Sequence, residues 1–237
     1  MKILILIPLW KRPEVVELCF KNIGWFRIMT SWSIEILAII SPEDPNIMEL
    51  EELCWAYNIE KCYFPNQPLG EKHNAGINYA LQKFDFDYLM NFGSDDLIHP
   101  SISDLYQPYF NEKTPIFGIN SLFFYDLDTK KTFFFKTYTE DYAIGAGRMI
   151  SRALLDKMKF RGIEMYENSI MRSCDGNSAN RILSWTGVKN TVINCGKFPY
   201  IVDVKTATNI NHIIQIESHK SQIEYFPDDH LSQYYQL

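Results

Sequence analysis

The sequence lacks a CxxC pair, and its cysteines, Cys19, Cys54, Cys62, Cys174 and Cys195, are scattered and odd in number. Such spacing offers no disulfide framework and fits reduced thiols in a cytoplasmic protein. There is no run of Lys and Arg to follow a phosphate backbone, and the net charge is −6, so nucleic acid is not expected as the main partner. Long apolar segments are missing as well. The stretch Ile3 to Leu9 is too short for a membrane span, is broken by Pro8, and lacks the small-residue flank of a cleaved signal. No transmembrane segment is expected, and any membrane association would be peripheral or through a partner. The loop after the first apolar run, Leu9-Trp10-Lys11-Arg12-Pro13, contains no glycine, and no Walker loop occurs elsewhere. Internal repeats, low-complexity tracts and flexible linkers are absent too. The expectation is one domain over 1–237, built from halves 1–115 and 116–237.

What is present is a core. With 46% hydrophobic and 15% aromatic residues, 237 residues bury a full interior without disulfides. Ile3 to Ile7 reads as a strand buried on both faces, since its apolar run does not alternate. Pro13 suits a first helical turn, with Glu14 and Glu17 near the positive helix end, and that helix should run to about Arg27. A strand at Ile34 to Ile40, a helix at about Ile47 to Tyr57 and a short strand at Ile59 to Phe64 follow. This alternation predicts an α/β fold: a parallel sheet with helices on both faces and its ligand beyond the carboxyl ends of the strands.

Those ends are the loops Leu9 to Pro13, Ser41 to Pro45, Pro65 to Asn74 and Gly93 to His99. In the third, Gly70 can let backbone approach a ligand, and Lys72 and Asn74 sit just before a helix expected from about Ala75 to Gln82. An ordinary turn and cap accounts for the same residues. The fourth loop ends the strand Tyr88 to Phe92 in two adjacent carboxylates, Asp95 and Asp96. Neighbouring acids disfavour joint ionisation unless a cation or a ring of donors compensates, so the pair reads either as a Mg²⁺ or Mn²⁺ site or as a cap on a helix beginning near Pro100.

Past Phe110 the pattern changes. Pro115 to Asp126 and Thr132 to Tyr138 read as an aromatic hairpin, an antiparallel extension of the sheet. Gly145 to Arg148 should lead into a helix from Ser151 to Met158, and Cys174-Asp175 should open another, with Asp175 a candidate N-cap. A last strand pair, Thr191 to Asn194 and Tyr200 to Val204, brings Asp203 and Lys205 forward.

Taken in order, the strand ending in Pro8 with Arg12 beyond it, the Pro68 to Gly76 segment, the Gly93-Ser94-Asp95-Asp96 turn, Gly145 to Arg148 and the late Asp175 resemble a GT-A glycosyltransferase. The similarity is to the family 2 type and covers roughly Ile3 to Asp203. It implies a GT-A (Rossmann-like) mixed sheet and a divalent metal, Mn²⁺ or Mg²⁺. It also implies an inverting transfer of sugar from a nucleotide-diphosphate donor to the hydroxyl of a glycan or other acceptor. On it, Asp95, Asp96 and His212 are metal ligands; Pro8, Arg12, Glu43, Asp44, Gly70, Lys72, Asn74, Ser94 and Asp96 bind the donor; and Asp175 is the general base. Gly93 stands where the family carries its first acid, His73 where it often has Arg, and Cys174-Asp175 where a Glu-Asp pair is usual. A non-catalytic module binding sugar nucleotides or glycans on the same fold is the alternative these departures raise.

Overall fold

The computed structural model describes residues 1–136, 143–171, 174–206, 223–227 and 230–235. The first half alternates as the sequence predicts: β1 (Lys2–Pro8), α1 (Pro13–Met29), β2 (Ser33–Ile40), α2 (Ile47–Ala56), β3 (Glu60–Tyr63), α3 (Leu69–Lys83) and β4 (Tyr88–Asn91). Strand β1 pairs in parallel with β2 and β4, and β2 with β3. The period-2 geometry of a strand divides β1 between two cores. Ile3, Ile5 and Ile7 meet Val16, Cys19, Phe20 and Ile23 of α1, while Leu4 and Leu6 join Ile77 and Ala80 of α3 on the opposite face. A strand apolar at every position is what two helical layers require.

The second half adds β5 (Asp96–Ile98), α4 (Ile102–Asn111), β6 (Ile116–Ile119), β7 (Ser121–Asp126), β8 (Thr132–Lys136) and β9 (Met149–Ser151). It continues with α5 (Arg152–Phe160), α6 (Cys174–Thr186), β10 (Thr191–Ile193), β11 (Ile201–Lys205), β12 (Ile223–Phe226) and a short 3₁₀ turn at His230–Gln233. Strand β9 is antiparallel to both β4 and β6, giving a seven-stranded mixed sheet ordered β10-β6-β9-β4-β1-β2-β3. A five-stranded sheet, β12-β8-β7-β11-β5, carries the aromatic hairpin.

Four expectations change. The run Pro115 to Asp126 is two strands, because the chain leaves the first sheet at buried Asn120 and enters the second. Strands β10 and β11 are not a pair: β10 lies parallel to β6, and β11 lies parallel to β7 and antiparallel to β5. The extension is therefore mixed rather than wholly antiparallel. Finally, Asp96 starts a strand, not the approach to a helix, and α3 begins at Leu69, so Gly70, Lys72 and Asn74 lie inside a helix. Among the described residues no helix is long and apolar enough to cross a membrane.

Candidate functional site

Three carboxylates converge where β4 passes into β5. Asp95, Asp96 and Asp203 each place an oxygen within 4.8 Å of the others. Asp96 and Asp203 are direct partners across the antiparallel β5–β11 pair, and Val204 N–H donates to the Asp95 carbonyl at 2.7 Å. Like charges facing each other across a ladder repel. Burial first, then the charges of Asp203 and Asp95, hold the Asp96 carboxyl well above the usual carboxylate range. Burial likewise pushes Asp203 up to about 6 against the pull of Lys205. Two cations face the cluster: Arg12 Nη1 lies 3.1 Å from Asp95 Oδ2, and buried Lys205 Nζ lies 2.6 Å from Asp203 Oδ2. Burial works against the Lys205 ammonium, but Asp203 and Asp95 outweigh it and raise its pKa. Three acids face two bases, and the raised pKa values of Asp96 and Asp203 mark the cost of charging all three at once.

The residues fit a divalent cation. Asp203 Oδ1 is buried and has no hydrogen-bond partner among the described residues, although its companion oxygen is held by Lys205. Gly93 explains the missing first acid. Its N–H donates to Asp96 Oδ2 at 2.6 Å, and a Cβ there would lie 2.7 Å from Asp95 Oδ1 and 2.8 Å from Asp96 Oδ2. The carboxylates fill the space a side chain at 93 would need. Gly93→Asp should therefore not restore a better metal site. It is expected to destabilise the chain by about 1–3 kcal/mol through overpacking and like-charge contact, and to weaken Mn²⁺ binding, read by denaturant unfolding and metal titration.

The surrounding loops are tied to one another. Arg12 and Lys11 both have left-handed backbone, φ 53° and 59°. Such a conformation costs a non-glycine residue roughly 1–2 kcal/mol and needs local support. Asp44 supplies it: Oδ2 accepts from Lys11 N at 2.7 Å and Oδ1 from Asn46 N at 2.9 Å. Glu43 accepts from Asn66 N at 2.6 Å, which lowers its pKa. Lys72 is fully buried, and its Nζ donates to Leu9 O at 2.7 Å, Ser41 Oγ at 2.8 Å and Asn66 Oδ1 at 3.1 Å. Burial pushes its pKa down to about 8. One ammonium thus fastens the loops after β1, β2 and β3.

Several residues assigned to the donor by resemblance have partners within the chain. Lys72 spends its three donors on loop atoms. Both Asp44 oxygens are taken by backbone. Gly70 does allow a close approach, but to its own chain: a Cβ would lie 2.1 Å from Glu167 O, and Gly70 N donates to Ile170 O at 3.0 Å. Asn74 binds the same segment through Tyr166 O, Asn168 Oδ1 and Tyr166 N. Pro8 ends β1, Ser94 is buried beside the acids, and Arg12 and Asp96 are in the cluster. Asp175 falls in the first turn of α6, and its side chain lies outside the described residues, as does His212 altogether. Asp203 is the member that the sequence reading left unassigned. Its signal was a lone acid and a lysine alternating with Ile and Val in Ile201-Val202-Asp203-Val204-Lys205.

His73 is buried and stacked on Tyr166, ring centroids 4.7 Å apart. Burial, then Lys72, pushes its pKa down to about 4. Because the unfolded chain takes up this proton near 6.5 and the folded one only near 4, its stabilising neutrality is present above 6.5 and lost as pH falls through that window. Wild type should lose up to roughly 3 kcal/mol more than His73→Phe between pH 7 and 4, measured by urea unfolding.

No family model and no curated protein matches the sequence. Solved structures do. TarS from S. aureus in complex with UDP-GlcNAc aligns with TM-score 0.60 at 11% identity, covering 88% of this chain and 60% of its own. The mannosyltransferase PcManGT from Pyrobaculum calidifontis, in complex with GDP-Man and Mn²⁺, gives 0.58 at 10%, covering 96% and 66%. The 4-diphosphocytidyl-2C-methyl-D-erythritol synthase of Anaerococcus prevotii gives 0.54 at 14%, covering 93% and 96%. The chain thus spans about 60% of the length of the TarS fragment that it matches. A mixed sheet headed by a parallel β3-β2-β1-β4 core, an acid cluster at its carboxyl edge and these likenesses together identify the GT-A fold in this chain.

Proposed function

We propose that the chain is a glycosyltransferase that moves a sugar, with inversion, from a nucleotide-diphosphate donor to an acceptor hydroxyl. The observation that carries this reading is the Asp95–Asp96–Asp203 cluster, with its orphan oxygen, at the carboxyl edge of the sheet. The PcManGT complex with GDP-Man and Mn²⁺ supports it by analogy. Asp95, Asp96 and Asp203 would hold Mn²⁺ or Mg²⁺. When bound, such a cation neutralises charge on the departing diphosphate. Arg12, at the cluster rim, supplies a second positive group for the diphosphate, a role for which Lys72 has no donor left. Asp175 takes the acceptor proton as general base. Arg148, fully buried, donates through Nη1 to Ser178 Oγ at 3.1 Å, and its backbone carbonyl accepts from Asn91 N at the end of β4. It thereby ties the helix of Asp175 to the strand that leads into the acids.

A nucleotidyltransferase is the second reading, favoured by a likeness that spans nearly the whole synthase chain. The two part on their products. The direct experiment is a thermal-shift screen of nucleoside diphosphates, nucleoside triphosphates and nucleotide sugars, with and without Mn²⁺. A ligand held at about 100 times its Kd adds roughly 2.7 kcal/mol of stability. Metal-dependent stabilisation by a nucleotide sugar, followed by release of nucleoside diphosphate on an acceptor, supports the transferase. Pyrophosphate release from a triphosphate would replace it, and binding with no turnover on any acceptor leaves the non-catalytic module.

A further inference from the structure

We infer that the paired carboxyl ends of α5 and α6 form a docking surface for an anionic phospholipid membrane, independent of the donor site. The two helix ends are linked by the Arg161 side chain, whose Nη1 donates to Trp185 O at 3.3 Å. Phe160 is 93% exposed, Trp185 55% and Leu183 42%, which is costly display for large apolar groups in water. Around them residues 156–164 and 183–190 contain two acids, Asp156 and Glu164, the second of which accepts from Asn78, and four cations, Lys157, Lys159, Arg161 and Lys189. All four are exposed, and none forms an ion pair among the described residues. Asp156, the one acid of α5, is turned to Arg152.

In a chain of net charge −6, this is a local reversal of sign. Cations at the last turn of a helix are also favoured by its dipole, which accounts for Lys157 and Lys159 alone. The dipole does not account for bare Phe and Trp among them. Aromatic side chains flanked by Lys and Arg are what the headgroup region of a bilayer takes up: the rings enter the acyl boundary, and the cations meet lipid phosphate. A fluid headgroup layer also needs no concave complement, which suits two projecting helix ends better than the shaped pocket a protein partner would bring.

The test is co-sedimentation of the full chain with phosphatidylcholine vesicles and with vesicles containing phosphatidylglycerol, at low and at 0.5 M salt. Binding to the anionic vesicles only, falling with salt, is expected. Lys157→Glu/Lys159→Glu should weaken it by more than the roughly fivefold per cation that charge removal brings. Phe160→Ser/Trp185→Ser should weaken it further, with the thermal midpoint and nucleotide binding unchanged. Equal binding to both vesicles, none to either, or binding untouched in both variants would overturn the proposal. So would a concentration-dependent dimer by sedimentation velocity that disappears in Phe160→Ser/Trp185→Ser, since a second copy would then be the occupant. Loss of nucleotide binding with vesicle binding intact would count against the transferase reading alone.

Discussion

Asp203→Asn abolishes metal-dependent nucleotide stabilisation and lowers turnover by at least about a hundredfold, yet the metal-free protein unfolds at no lower temperature than wild type. The two halves of this expectation have one cause. Without metal, three carboxylates share two cations, and Asp203 faces Asp96 directly across the β5–β11 ladder. Replacing it with Asn removes a buried carboxyl whose ionisation its neighbours resist and keeps an acceptor for the buried Lys205 ammonium, so repulsion is relieved and that cation keeps a partner. In the proposed transferase, the same change would remove an anionic oxygen from the residues that hold the metal and an electrostatic contribution to the transition state. Calorimetry with and without Mn²⁺ and nucleotide, alongside a transfer assay, measures both halves. A variant that is destabilised without metal and still responds to metal would make Asp203 merely a partner for Lys205.

Lys72→Met is expected to lower the stability of the ligand-free chain by about 2–4 kcal/mol, or very roughly 5–15 °C in midpoint, and to erase the nucleotide response with it. Met fills the volume of the stem but leaves Leu9 O, Ser41 Oγ and Asn66 Oδ1 without their shared donor beneath three loops. Those loops carry Arg12 and its strained backbone, so the cation facing Asp95 loses its position although no atom of the acid cluster has changed. A lysine that bound phosphate would behave in the opposite sense. Its removal would relieve the cost of burying a charge, leave the ligand-free midpoint unchanged or raised, and reduce only the ligand shift. Lys72→Arg should not rescue, since a planar five-donor group does not fit a fully buried site shaped for an ammonium. Normal ligand-free stability in Lys72→Met would refute the strut.

The order of β1 to β4 with their helices was legible because each strand carries its own local signature. Residues 3–7 are apolar without alternation, Pro13 opens a helix, and each run ends in a turn-forming cluster. Asp95 and Asp96 were legible for a similar reason, as two costly charges at the end of an apolar strand. Less legible are contacts whose partner is distant in sequence. The sequence offers Gly70 as room for a close approach, and the structure fills that room with Glu167. Lys72 and Asn74 looked like free polar groups ahead of a helix, and both are consumed by loops arriving from elsewhere. The break at Asn120 was invisible because β6 and β7 are both buried along their whole length, and burial pattern alone cannot say to which sheet a strand belongs.

The sequence by itself determined the α/β alternation, the carboxyl edge as the place where polar residues collect, and two of the three acids, since periodicity and charge cost act over a few neighbouring residues. Only the tertiary structure decided that β11 lies antiparallel to β5 and sets Asp203 against Asp96, that Gly93 is bare because those carboxylates occupy its space, and that Lys72 holds loops together. Those are long-range pairings, selected by the packing of whole sheets, and no local pattern encodes them.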